Sequence, residues 1–331
     1  MKIAVVGLGY WGPNLIRNFS ACENVAGVYC CDSDPERVKL VRTRFPHVEV
    51  LPTFDDVLRS DCDAVVLALP ITLHHPFGMR ALQEGKHLLV EKPMAASVRH
   101  CEEMIAAAEA DRRILMVDHT FLYTGAVRKM KEIVDRGDVG EIYYFDSVRV
   151  NLGLFQHDVN VLWDLAPHDL SILDHVLGRK PSAVSAYGIT HFNHQEDVAY
   201  LAVHFDDKMM AHVNVNWLSP VKIRRVLIGG SKKMILFDDM EPSEKVKVYD
   251  SGVKVVTREG IYSTLVEYRT GDMFAPKLDQ SEALSLVVKD FVNSVLTGRT
   301  PVADAAAGLR VVRILEAAEQ SVKSNGKVVK V

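Results

Sequence analysis

The 331-residue sequence has little that would mark it for a polyanionic partner. Its net charge is only −4, so there is no basic field to draw in nucleic acid or an anionic lipid surface. No apolar run approaches the roughly 20 residues that span a bilayer. The N-terminus enters a strand pattern after a single lysine and does not read as a signal peptide. The five cysteines, Cys22, Cys30, Cys31, Cys62 and Cys101, form no CxxC pair and no zinc-ligand spacing. They read as reduced thiols in a cytoplasmic protein. Apolar residues make up 48% and charged residues 25%, which excludes disorder and implies ordinary globular cores. The length exceeds one compact core and predicts two domains.

The first 120 residues alternate short apolar runs with helical stretches. Strands are predicted at Lys2–Val6, Val25–Cys31, Ala64–Leu69, His87–Val90 and Ile114–Val117. Helices are predicted at Pro13–Ser20, Asp34–Arg44, Pro76–Glu84 and Val98–Ala110. This alternation implies parallel pairing through right-handed crossovers, a Rossmann-type doubly wound α/β domain. Beyond residue 120 a helix at Ala126–Arg136 leads into a long strand, Glu141–Val150, and a second helix covers Ala166–Leu177. Strand-like runs follow from Ser182 to about Val256, with turn signals at Asp206–Lys208 and Gly229–Ser231. Consecutive strands without intervening helices predict a large, open, mostly antiparallel sheet flanked by helices. The C-terminus returns to helix at Ser281–Thr297 and Ala303–Ser321. The predicted division is therefore 1–120 for a dinucleotide-binding domain and 121–331 for an α+β domain, with the last helix packing back on the first.

Gly7-Leu8-Gly9-Tyr10-Trp11-Gly12 fits GxGxxG, a weak signal by itself. Here it follows an apolar strand and opens a helix, as the mechanism requires. Gly7 permits the tight turn, Gly9 lets backbone approach a pyrophosphate, and Gly12 allows close packing of the helix, whose N-terminal N–H groups face the anion. Asp32 lies 20 residues beyond Gly12 at the end of the second strand, the place for a carboxylate on the ribose hydroxyls. A carboxylate there disfavours a 2′-phosphate, so NAD is expected in preference to NADP. Tyr10 and Trp11, inside the turn, either cover the cofactor or pack on the second domain.

Four elements in register resemble the glucose–fructose oxidoreductase/inositol dehydrogenase/MocA (Gfo/Idh/MocA) family. They are Gly7–Gly12; Leu69-Pro70-Ile71-Thr72-Leu73-His74, similar to TPxxxH; Glu91-Lys92-Pro93, similar to EKP; and Asp164-Leu165-Ala166-Pro167-His168, similar to DxxxH. Leu69 departs from the commoner threonine. The resemblance implies a cofactor site lined by Gly7, Gly9, Tyr10, Trp11, Gly12, Asp32, Leu69, Pro70, His74, Glu91, Lys92 and Pro93. It implies a catalytic set of Lys92, Asp164 and His168, and a substrate site that adds His119, Arg149 and Asn151.

Oxidation of a secondary alcohol needs a base for the hydroxyl proton and a positive group for the developing alkoxide. His168 suits the first role, with Asp164 four residues earlier to orient it, and Lys92 suits the second. Because proline is tolerated best in a first turn, the helix is predicted to begin near Leu165–Pro167. His168 would then sit by the positive end of the helix, which favours neutral imidazole. Asp164 as a bare N-cap and His168 as a first-turn surface residue are the structural alternatives. His74 and His119 are expected at the C-terminal ends of the third and fifth strands. Arg149 and Asn151 either point into the substrate pocket, with Arg149 on an anionic group such as a nucleotide phosphate, or form a solvated strand end. No third ligand accompanies Asp164 and His168, so no metal is expected.

Within the family, the residues around Gly9–Leu15 and Trp163–Leu170 are similar to members acting on UDP- or dTDP-sugars at C3 in polysaccharide biosynthesis. A free-sugar or inositol dehydrogenase is the enzymatic alternative, and a non-catalytic dinucleotide-binding regulator the alternative of another class. The open sheet face also predicts a homodimer or homotetramer.

Overall fold

The computed structural model describes residues 1–153, 159–192, 194–206, 208–256 and 265–331, and side chains throughout these except at 253–256 and 265–268. Asp207, in the predicted turn at Asp206–Lys208, lies outside the described residues. The chain divides into two compact units, Met1–Thr124 with Ser281–Glu316, and Gly125–Gln280 with Ala317–Val331.

In the first unit the elements run β1 (Lys2–Val6), α1 (Gly12–Ser20), β2 (Gly27–Cys31), α2 (Pro35–Arg44), β3 (Glu49–Val50), α3 (Phe54–Arg59), β4 (Ala64–Leu67), α4 (Ile71–Gln83), β5 (His87–Glu91), α5 (Val98–Ala110) and β6 (Leu115–Asp118). A 3-10 turn at Thr120–Tyr123 follows. Among the described residues the strands form a six-stranded parallel sheet in the order β3-β2-β1-β4-β5-β6. That is a doubly wound sheet, which binds ligands beyond the C-terminal strand ends where the order reverses, here between β1 and β4. The central strands are apolar on both faces because helices cover both: Ile3, Ala4, Val5, Ala64, Val65, Leu67, Leu88, Leu89 and Val90 are buried.

The second unit holds α6 (Gly125–Asp135), β7 (Ile142–Leu152), α7 (Val161–Leu177), β8 (Ala183–Ile189), β9 (Val198–His204), β10 (Met210–Asn216), β11 (Leu218–Gly230), β12 (Met234–Asp238), β13 (Val246–Tyr249), β14 (Gly252–Val256), β15 (Leu265–Arg269) and β16 (Met273–Phe274). The chain ends with α8 (Ala283–Thr297) in the first unit, α9 (Ala305–Lys323) and β17 (Val329–Lys330). A nine-stranded sheet in the order β16-β13-β12-β11-β7-β10-β9-β8-β17 forms among the described residues. Its pairings are antiparallel apart from β7 with β10. Period-two alternation gives this sheet one buried face, with Phe145, Val184, Leu201, Val203, Ala211 and Val213, and one open face, with Tyr144, Tyr187, Tyr200 and Met210.

Two helices begin earlier than the sequence predicts, and proline is the reason both times. The helix predicted from Pro76 starts at Ile71, and the one predicted near Leu165–Pro167 starts at Val161. Asn160 caps α7 by accepting from Trp163 N at 3.2 Å, and Gly178 ends it in the left-handed conformation. Pro167 sits in the interior with Ala166 and Leu170, all buried, so packing outweighs the lost backbone hydrogen bond. His168 thus lies two turns inside the helix. The terminal dipole, which fades within the first turn, does not reach it, and Asp164 is not the N-cap.

Candidate active site

The glycine turn has the geometry of a pyrophosphate cradle. Gly7 has φ of +95°, and an added Cβ would lie 2.3 Å from Ala68 O; at Gly12 it would lie 2.2 Å from Gly7 O. Both glycines are therefore required by the fold. Gly9 is different: the atom nearest to a Cβ added there is Arg37 Nη1, at 3.9 Å. The protein itself has no steric need for glycine at this point, and the open space suits a ligand passing close to the backbone. The N-terminus of α1 also carries no side-chain cap, which leaves its N–H groups available to an anion. Tyr10 is 83% exposed and stands edge-on to Trp11 with ring centroids 5.2 Å apart.

Asp32 follows β2 with its side chain only 5% exposed. Its Oδ2 accepts from Leu8 N at 2.6 Å and its Oδ1 from Asp34 N at 2.8 Å. The carboxylate therefore ties the glycine turn to the start of α2 as well as offering lone pairs to a ribose. Arg37 Nη1 lies 3.6 Å from Asp32 and its Nε 3.3 Å from Asp34. Ser33, Lys39, Arg42 and Thr43 line an adjoining cavity of about 510 Å³.

Across the sheet, β4 and β5 bring the other cofactor-side elements together. Leu69 abuts the glycine turn, its Cδ2 lying 3.0 Å from where a Gly7 Cβ would stand, and Pro70 precedes α4. His74 does not end the third strand as expected. It lies in the first turn of α4, 1% exposed, with Nε2 2.8 Å from Leu69 O and Nδ1 2.9 Å from Pro93 O. The ring is a clip that ties the β4–α4 turn to the segment carrying Lys92. Burial pushes His74 below its ordinary range, while its two carbonyl partners pull it the other way. The Lys92–Pro93 peptide is cis.

Glu91 and Asp118 end β5 and β6 as register partners. Glu91 Oε1 is sealed from solvent, and the Glu91 carboxyl neighbours that of Asp118, a relationship the cofactor assignment of Glu91 did not anticipate. His119 follows β6 directly, as predicted for the C-terminal edge of the sheet. It is 1% exposed, and neither ring nitrogen meets a hydrogen-bond partner among the described residues. Burial and the charge of Lys92 push His119 down to about 3, so the imidazole is neutral at physiological pH.

In the second unit, Asp164 and His168 occupy positions i and i+4 of α7, on one face, and both are half-buried. Trp217, 1% exposed and next after β10, donates its indole N–H to Asp164 Oδ2 at 3.0 Å. Sequence spacing gave no sign of this partner, 53 residues away. Arg149 is not the solvated strand end that was one of its two expected placements. It is 2% exposed, and its Nε and Nη2 meet Asp169 Oδ2 and Oδ1 at 2.6 and 3.1 Å. This buried, bidentate pair braces α7 on β7. Asn151, two residues on in β7 and therefore on the same face, is half-buried. No group of three or more potential metal ligands occurs among the described residues, and none of their helices is long and apolar enough to cross a membrane.

The first unit is thus a dinucleotide-binding domain with an open glycine cradle, an acid after the second strand, and a lysine at the neighbouring strand edge. Residues 1–119 match the family model for the NAD-binding Rossmann fold of an oxidoreductase family, and residues 127–236 match the GFO/IDH/MocA C-terminal domain. The chain belongs to the Gfo/Idh/MocA family and is an NAD-binding oxidoreductase. It is 24% identical over 314 residues to UDP-N-acetylglucosamine 3-dehydrogenase of Acidithiobacillus ferrooxidans, covering 94% of each chain. It is 24% identical over 307 residues to the scyllo-inositol 2-dehydrogenase (NADP(+)) IolW of Bacillus subtilis, covering 87% of this chain and 84% of that one. Among solved structures, the WlbA dehydrogenase of Bordetella pertussis in complex with NADH and UDP-GlcNAcA superposes with a TM-score of 0.83 at 19% identity, covering 100% and 97%.

Proposed function

We propose that this oxidoreductase transfers a hydride between NAD and a secondary alcohol or ketone of a nucleotide-linked sugar, at C3 of a UDP- or dTDP-sugar, in cytoplasmic polysaccharide biosynthesis. The observation that carries the substrate class is the likeness to a UDP-sugar 3-dehydrogenase over 94% of both chains. NAD supplies the hydride acceptor. Lys92 hydrogen-bonds the sugar hydroxyl and stabilises negative charge growing on its oxygen. His168 takes the hydroxyl proton as the C–H bond breaks and the carbonyl forms, and Asp164 orients the imidazole. Trp217 in turn fixes the Asp164 carboxylate. His119, neutral and buried, offers one donor and one acceptor to bound ligand. Residues 121–331 serve as substrate and oligomerisation domain, and the open sheet face supports a homodimer or homotetramer.

The inositol dehydrogenase relative supports a second reading, a free cyclitol or sugar as substrate. Thermal shift in the presence of NAD separates the two. Stabilisation is expected from UDP- or dTDP-sugars, and little from free sugars or inositols. The reverse order would transfer the assignment to the second reading.

A further inference from the structure

Glu91 and Asp118 stand side by side at the ends of two parallel strands, and Lys92 is the residue that follows Glu91 in the chain. Asp118 is 2% exposed, and its Oδ1 receives the Thr120 hydroxyl at 2.7 Å. Its other oxygen, Oδ2, and Glu91 Oε1 are both sealed from solvent. No N–H or O–H among the described residues reaches either one. Yet the two carboxyls lie within hydrogen-bonding reach of each other. Two sealed carboxylate oxygens so close cannot both be ionised, because desolvation and mutual repulsion add. A single proton between them satisfies both atoms.

We propose that Glu91 and Asp118 share one proton and act as a charge-setting pair that positions Lys92. This role rests on the reading of Lys92 as the group that meets the substrate oxygen. With one proton the pair carries one negative charge, matching the single positive charge of the neighbouring ammonium. With two protons that counter-charge is gone. The surroundings fit a singly protonated state. Burial holds Glu91 well above the usual carboxylate range and Asp118 up to about 6, while Lys92 draws both back. Two titratable side chains packed near the pair carry no competing charge. His119 on the β6 side is held neutral, and Tyr123 from the 3-10 turn donates its hydroxyl to Asp290 of α8 at 2.6 Å. Asp290 is in turn paired with Arg299.

The sequence gives no spacing rule for such a pair, since the two acids lie on different strands 27 residues apart. Only strand register brings them together. The two acids are positioning residues, and neither is assigned contact with reacting atoms.

Infrared pH-difference spectroscopy of the wild-type protein with NADH bound tests the shared proton without any substrate. The expected result is a protonated-carboxyl stretch at neutral pH that is lost in both Glu91→Gln and Asp118→Asn. Absence of that band from the wild type would overturn the proposal, whatever the variants do. The charge-setting role is read from the pH profile of kcat/KM. Asp118→Asn keeps the shape and the Thr120 hydrogen bond, so NADH affinity should hold within about twofold. The acid limb of the profile should move by roughly one pH unit. A profile that superposes on the wild type would refute the role. A wild type inactive toward every sugar, but showing the band, would instead fault the functional reading and leave the shared proton standing.

Discussion

Trp217 donates its indole N–H to Asp164 Oδ2 at 3.0 Å, tying the end of β10 to the first turns of α7. An N–H donor to a carboxylate oxygen fixes the side chain's rotamer. The indole is held in turn by close packing, since a Cβ at Gly153 would lie 2.6 Å from Trp217 Cδ1. Trp217→Phe retains the aromatic bulk and removes the donor. Turnover should fall roughly tenfold, the equivalent of about 1.4 kcal/mol, with NADH affinity unchanged. Steady-state kinetics against fluorescence titration of NADH checks this; an unaltered kcat would show that Asp164 needs no such support.

Asp32 carries a structural duty beside its proposed cofactor role, because its two oxygens receive Leu8 N and Asp34 N. Asp32→Asn puts an amide N–H against one of those backbone donors. We expect weaker NAD binding, lower stability by about 1–3 kcal/mol, and a narrowed NAD-to-NADP preference. Affinities for both cofactors measured by calorimetry decide the matter, and an unchanged ratio would contradict the assignment of Asp32 as the selector.

Arg149 and Asp169 form a buried pair, so Arg149→Met strands an unpaired carboxylate in the core. Loss of one partner of such a pair costs about 3–5 kcal/mol. Denaturant unfolding should register a loss of that order. Full stability combined with a raised KM for a nucleotide sugar alone would instead favour Arg149 as a phosphate ligand.

His119 is buried with neither ring nitrogen partnered among the described residues, so an apolar replacement costs the empty protein little. His119→Leu should match or exceed wild-type stability and bind ligand more weakly. Its pH signature has a definite sign. The folded value of about 3 lies below the ordinary 6.5, so the folded state binds fewer protons between them. Stability is present above 6.5 and falls as pH drops toward 3. Asp118 acts in the opposite direction, its stability contribution fading as pH rises from 3.8 through about 6. The difference between variant and wild type across this window therefore isolates His119; a constant difference would contradict its burial as a neutral base.

The local rules carried most of the first unit. Strand periodicity and the glycine turn located β1, α1 and β2, and Asp34 was legible as the start of α2, where it caps Glu36 N at 2.9 Å. The short β3 and α3 lacked enough periodic residues to register. Prolines misled twice, because Pro76 and Pro167 look like helix openings but lie inside their helices, Pro76 on the exposed face of α4 and Pro167 buried in α7. The candidate site residues were read from motifs, but their partners were not. His74 with Pro93 O, Arg149 with Asp169, Asp164 with Trp217 and Glu91 with Asp118 are all contacts fixed by tertiary register. No spacing in the chain encodes them.

Hydride transfer to NAD at Lys92 is tested most directly by the formation of NADH. Purified protein with NAD and a panel of UDP- and dTDP-sugars should generate NADH absorbance with at least one member. Lys92→Ala should bind NAD normally and lose most of that rate. Absence of NADH with every sugar and cyclitol tried, or undiminished turnover in Lys92→Ala, would contradict the account.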